Sequence, residues 1–263
     1  MTRLVALLFD VDGTLAETEE VHRLAFNRAF ADAGLNWNWT QILYRQLLAV
    51  SGGRERIRHF IDSCGAGLPP GVDAETLITS LHRDKTRHYA NLLASGGIAL
   101  RPGVERLLRQ AVAERLRLAI VTTTSAENLR PLLQATVGSE AASWFEVVCT
   151  ASEAPVKKPA PDAYLWTLGR LGLAGRDCLA IEDTANGVAA ARAAGIPVLV
   201  TESAYSAGEN FDGATAVVSD LGEPDRPFRL LAGNAHGRHH VDVELLRLWH
   251  ADATRSAPRD GNG

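Results

Sequence analysis

The chain has 263 residues, 46% of them hydrophobic and 22% charged, with 27 Lys+Arg against 31 Asp+Glu and a net charge of -4. That length suits one large α/β domain, or a domain of ~150 residues with a smaller companion. The near balance of charge argues against nucleic acid as a partner, and the first apolar run, six residues long, is too short for a membrane span or a signal peptide. Cys64, Cys149 and Cys178 are odd in number and widely spaced, which argues against disulfides or a zinc site and suits reduced thiols in a cytoplasmic protein.

Leu4 to Phe9 is an unbroken apolar run stopped by Asp10-Val11-Asp12-Gly13, the pattern of a strand buried on both faces of a parallel sheet. From about Thr18 to Ala94 the rhythm changes. Val21, Leu24, Ala25, Phe26, Ala29 and Phe30 recur at helical spacing, as do Ile57, Phe60 and Ile61, with no strand pattern between them. Residues 18–94 therefore read as an inserted all-helical domain, with Trp37 and Trp39 packing its interior. Ser95-Gly96-Gly97 and Arg101-Pro102-Gly103 are reversal signals suited to a hinge.

Leu116 to Val121, Glu146 to Cys149, Cys178 to Ile181 and Pro197 to Val200 then alternate with helical stretches at Val104 to Ala113, Ala126 to Ala135, Pro161 to Leu171 and Ala185 to Ala194. This order predicts an α/β fold, a doubly wound parallel sheet formed by residues 1–17 and 95–230, whose ligand crevice lies at the carboxyl ends of the strands. Past Asp220 the chain turns polar. Residues 231–263 are expected to carry one helix, near Val241 to His250, and a disordered tail from Ser256 to Gly263.

Asp10 and Asp12 follow the first strand directly and project into that crevice. Two crowded carboxylates bind a hard cation or hold their pKa values apart, so one can act as nucleophile and the other as proton donor. Thr122-Thr123-Thr124-Ser125 closes a second strand before a helix, where hydroxyls and free backbone N–H groups cradle phosphate or merely cap the helix. Lys158, in Lys157-Lys158-Pro159-Ala160-Pro161, offers a point charge, with Lys157 expected as its solvated neighbour. Glu182 and Asp183 close a further strand.

In this order the four motifs resemble those of the haloacid-dehalogenase-like phosphohydrolases, from the first residues to about Asp220. The resemblance implies a Rossmann-like core, an inserted helical cap, and Mg²⁺ held by the Asp10 carboxylate, the Asp12 carbonyl and Asp183, with Glu182 close by or acting through water. It further implies that Asp10 attacks phosphorus to give an aspartyl-phosphate, that Asp12 is the general acid and base, and that Thr122 and Lys158 serve catalysis. A cap favours a small phosphorylated substrate, and the protein is expected to be a monomer.

Within the cap, Ser51-Gly52-Gly53-Arg54-Glu55 pairs exposed backbone N–H groups with an arginine able to grip phosphate bidentately, so Gly52, Gly53 and Arg54 are expected at a second phosphate. Lys85 occupies the place of a cap lysine in the β-phosphoglucomutases. Substrate binding is also expected of Thr122, Thr123, Lys158 and Glu17, the last accepting sugar hydroxyls, while His22 helps to sense closure. Gly34 to Trp39, Leu47 to Ile57 and the polar C-terminal extension resemble the CbbY proteins of carbon-fixing organisms. That resemblance implies hydrolysis of xylulose 1,5-bisphosphate, an inhibitor of Rubisco, to xylulose 5-phosphate. The alternatives are a β-phosphoglucomutase-like phosphosugar mutase, a phosphorylation-driven receiver and a silent sugar-phosphate sensor.

Overall fold

In the computed structural model, which describes residues 3–63, 65–68, 71–96, 98–138 and 142–256, the first apolar run forms β1, Ala6–Phe9. Its side chains alternate between two cores. Leu7 and Phe9 point into one hydrophobic cluster, while Ala6 and Leu8 point into another on the opposite face, as the two-residue period of a strand dictates. Both faces are covered by helices, which explains why the sequence shows a solid apolar run instead of alternation.

Around β1 the sheet has seven strands in the order β3-β2-β1-β4-β5-β6-β7. Strands β2 (Arg117–Val121), β3 (Phe145–Cys149), β4 (Cys178–Glu182) and β5 (Val198–Thr201) match the four later apolar runs, all parallel. β6 (Ala216–Val218) continues the parallel set, and β7 (Leu230–Ala232) closes the edge antiparallel to it. Neither of these three-residue strands was foreseen. Strand order reverses around β1, which places the crevice at its carboxyl end.

Among the described residues the insertion carries four helices: α1 (Glu19–Asp32), α2 (Gln41–Leu47), α3 (Gly53–Ser63) and α4 (Ala74–Ala94). They enclose a third apolar cluster, in which Trp39 is fully buried and its ring centroid lies 4.6 to 5.8 Å from those of Phe26, Phe30, Tyr44 and Phe60. The two chain crossings between cap and core meet at an antiparallel bridge of Ala16 with Leu100. There Arg101, itself buried, bonds the Thr201 and Ser219 carbonyls and pairs with Glu17 at 3.2 Å.

After the crossing come α5 (Val104–Ala113), α6 (Ala126–Thr136), α7 (Asp162–Leu171), α8 (Ala185–Ala193) and α9 (Val243–Ser256). Residues 231–256 are no appendage. β7 extends the sheet, and Val243, Leu245, Leu246 and Trp249 of α9 are buried in the same cluster as Leu7 and Phe9. The tail expected to be disordered lies outside the described residues after Ser256, as does Cys64.

Candidate active site

Register alone gathers the motif residues. Phe9 stands level with Ile120 of β2 and Ile181 of β4, so the residues that follow, Asp10, Val121 and Glu182, sit side by side at the carboxyl edge, with Thr122 and Asp183 one step beyond. From the loop before α7, Lys158 reaches into this group. Its Nζ donates to Asp10 Oδ1 at 2.6 Å, to Glu182 Oε1 at 2.6 Å and to the Val121 carbonyl at 2.9 Å. Tyr164 of α7 donates its hydroxyl to the same Glu182 oxygen.

One ammonium thus faces three buried acids. Asp10, Glu182 and Asp183 each present an oxygen within 4.8 Å of the others, while Glu182 Oε2 and Asp183 Oδ1 are buried without a hydrogen-bond partner among the described residues. Burial raises the Asp10 carboxyl to about 8, against the pull of Lys158 and helped by the Glu182 charge. Asp183 is raised as well, first by burial and then by Asp10 and Glu182. Lys158 stays charged despite burial because both carboxylates oppose its loss of a proton. Buried charge short of one or two positive units, with oxygen donors free, fits a hard divalent cation.

Asp12 turns the other way. Its Oδ1 accepts from Thr18 Oγ1 at 2.5 Å and lies 3.1 Å from His22 Nε2, both in the first turn of the cap. Thr18 precedes α1 as its N-cap residue yet makes no side-chain cap bond, since its hydroxyl goes to Asp12. His22 is buried, stacks on Tyr89 at 4.1 Å and holds Lys85 Nζ at 2.8 Å on Nδ1. With the lysine donating to Nδ1, His22 donates from Nε2 to Asp12. Burial opposes ionisation of Asp12, but the pull of His22 and its hydrogen bond, with the bond from Thr18 and the nearby Lys85, hold it down at about 2. Lys85, expected on a helix surface or at the substrate, is 3% exposed, and burial lowers it to about 7.

Between core and cap lies a cavity of about 570 Å³. Asp10, Asp12, Thr122, Thr123, Lys158 and Asp183 line its core side, and Gly52, Gly53, Arg54 and Lys85 its cap side. Glu182 lies beneath the floor, fully buried, and acts on it through Lys158. Arg54 lines the cavity while its Nη2 donates to Thr79 at 3.0 Å, half exposed. Thr122 is buried, and its Oγ1 accepts from Thr124 N at 3.1 Å, so the cradle after β2 is a tight turn.

Two expectations are corrected. Glu17 does not line the cavity; it precedes α1 and turns to Arg101 at the crossing, where it also accepts from Ala204 N at 3.4 Å. Lys157 is not a solvated neighbour. Its Nζ lies 2.5 Å from Glu55 Oε1, joining the core loop to the first turn of α3. Gly52, at φ +94°, makes room for this pair, since a Cβ there would stand 2.3 Å from both side chains.

Residues missed in the sequence include Thr18, Glu19, Tyr164 and the loop after β5, where Ser203, Tyr205 and Glu209 line the cavity. The position of that loop at the same sheet edge was the available signal. Further ties join it and α8 to the cap. Arg45 donates to the Ala204 carbonyl at 2.5 Å, Asn186 to the Ala49 carbonyl at 3.2 Å, and Tyr205 to Glu20.

Residues 4–195 match the family model of haloacid dehalogenase-like hydrolases, and the chain belongs to that family. Within it the chain is 48% identical to protein CbbY of Cupriavidus necator over 93% of this chain and 96% of that one. A solved structure of CbbY from Rhodobacter sphaeroides, an Asp-to-Asn variant in complex with xylulose 1,5-bisphosphate, is similar with a TM-score of 0.78 at 40% identity, covering 84% of this chain and 98% of that one. A β-phosphoglucomutase from Clostridium difficile shares the fold, with a TM-score of 0.72 at 16% identity over 96% of this chain and 99% of that one.

Proposed function

We propose that this chain is a Mg²⁺-dependent sugar-bisphosphate phosphatase that hydrolyses xylulose 1,5-bisphosphate to xylulose 5-phosphate. The observation that carries the reading is Asp10, bonded to a buried lysine and set beside the orphaned oxygen of Asp183 at the floor of a capped cavity. The bisphosphate bound by the CbbY relative supports the substrate.

Asp10, Asp183 and the Asp12 carbonyl would hold Mg²⁺, which when bound keeps Asp10 ionised and offsets charge on the phosphoryl group. Asp10 attacks phosphorus in line, opposite the leaving sugar oxygen, and forms an aspartyl-phosphate. Lys158 steadies the transferred group by its charge, while Thr122 and the Thr123 backbone N–H orient its oxygens. A phosphate dianion arriving beside Asp12 raises its proton affinity by like-charge repulsion, so it carries the proton that the leaving oxygen takes. Stripped of that proton, it becomes the base for the water that cleaves the acyl phosphate, with His22 and Thr18 holding its orientation.

Phosphate release with Mg²⁺ from xylulose 1,5-bisphosphate, ribulose 1,5-bisphosphate, fructose 1,6-bisphosphate and β-glucose 1-phosphate tests this. The expected result is a strong preference for the first. Conversion of β-glucose 1-phosphate to glucose 6-phosphate without phosphate release would overturn it in favour of a mutase.

A further inference from the structure

A cavity built for phosphate should be lined by cations and N–H donors, and this one largely is, yet α1 places Glu19 in its wall. The other acids there have roles of their own, Asp183 beside Asp10 as part of the acidic group that could hold a cation. Asp10 bonds Lys158, Asp12 is held by His22 and Thr18, and Glu209 accepts from the Ala185 N–H at 2.7 Å. Glu19 forms no ion pair among the described residues. Its one hydrogen bond is received at Oε2, from the Tyr44 hydroxyl at 2.8 Å.

That single bond is firmly built. Tyr44 is fully buried, and its hydroxyl also accepts from Arg56 Nη1 at 3.0 Å. Arg56 is buried too, with Nε and Nη2 fixed on the Leu47 and Val50 carbonyls at 3.2 Å each. The cap interior therefore holds Glu19 in place from behind. A preset carboxylate with spare acceptor capacity wants a hydrogen-bond donor.

Elsewhere in the lining, Asn128 Oδ1 adds a second acceptor that wants a donor. Ser125 Oγ and Asn128 Oδ1 are buried without partners among the described residues, and both residues line the same cavity. A phosphate dianion and a carboxylate bring acceptors only, whereas the hydroxyls of a polyol bring donors. We propose that Glu19, braced by Tyr44 and Arg56, is a specificity-determining residue that binds the hydroxylated segment of the substrate and rejects phosphates bearing a carboxylate. This rests on the sugar-bisphosphate reading and assigns to Glu19, which lines the cavity, the hydroxyl contact expected of Glu17, which turns to Arg101.

The test compares wild type, Glu19→Gln and Tyr44→Phe, each with Mg²⁺, on xylulose 1,5-bisphosphate and on 2-phosphoglycolate, a phosphate that carries a carboxylate. A hydrogen bond to a charged acceptor justifies an expected fall of about 10- to 100-fold in the kcat/KM ratio of bisphosphate to phosphoglycolate for Glu19→Gln. The fall should lie mainly in KM for the bisphosphate, with a smaller one for Tyr44→Phe, and thermal unfolding checks that both variants fold. An unchanged ratio overturns the proposal, as does equal loss on both substrates. If wild type prefers a different hydroxylated phosphate, the function reading fails while Glu19 is judged on that substrate; preference for phosphoglycolate itself overturns both.

Discussion

The floor and the roof of the cavity are built on different principles. On the core side, three strands in parallel register deliver Asp10 and Glu182 to one level with Thr122 and Asp183 one step beyond, and Lys158 locks two buried carboxylates within 2.6 Å of its ammonium. The roof has no such ladder. Its functional side chains hang from helices whose mutual placement depends on one aromatic cluster, and it meets the core through partly exposed pairs such as Lys157 with Glu55. Charge placement at the floor follows from backbone hydrogen bonding; at the roof it follows from how side chains fill a small hydrophobic interior.

Substitutions at the floor should therefore cost most. Asp10→Asn is expected to lower kcat by at least about a thousandfold with circular dichroism and thermal unfolding little changed, because the covalent step is lost. Lys158→Ala should lose activity on a similar scale and, unlike Asp10→Asn, also about 3–5 kcal/mol of stability, since Asp10 and Glu182 would be left buried without their cation. Urea unfolding in the absence of Mg²⁺ separates the two.

In the roof, Trp39→Ala should destabilise by about 3–5 kcal/mol through the cavity it opens among Phe26, Phe30 and Phe60. Amide exchange should rise across α1 to α4 and stay slow in β1, β2 and β4; equal loosening of the sheet would mean that the two halves are one cooperative unit.

Lys85 supplies a pH signature of the roof alone. Its ammonium is lowered from 10.5 to about 7, so between these values the unfolded chain binds the extra proton and stability rises with pH by up to about 1.4 kcal/mol per unit. Lys85→Met should flatten that rise relative to wild type in urea titrations at pH 7, 8 and 9, and an unchanged slope would refute the burial argument. The smallest effect is expected for Lys157→Ala and Glu55→Ala. Each should weaken kcat/KM by less than about 1 kcal/mol, with the double variant no worse than either single one, because the pair is partly exposed.

This contrast also governs what was legible in the sequence. β1 to β5 and the motif residues at their ends could be read because a parallel strand is a continuous apolar run and its last residue has a fixed address. β6 and β7 escaped because three residues make no period, and β7 exposes Leu230 and Leu231 in a polar stretch. In the cap, Glu17 and Glu19 look alike as letters, and only the start of α1 at Glu19 sends one to the hinge and the other to the cavity. Lys157 resembled a bystander because nothing local reveals that Glu55 comes to meet it.

Gly13 carries a consequence of its own. Its φ is +84°, and a Cβ added there would lie 2.0 Å from Asp183 Oδ2. The first and last motifs, far apart along the chain, therefore share one atom's worth of space. Neither can drift without the other, so a library randomised at position 13 should return glycine even under selection for folding alone. The same selection at position 183 should admit smaller residues, and only among those survivors should position 13 begin to tolerate alanine.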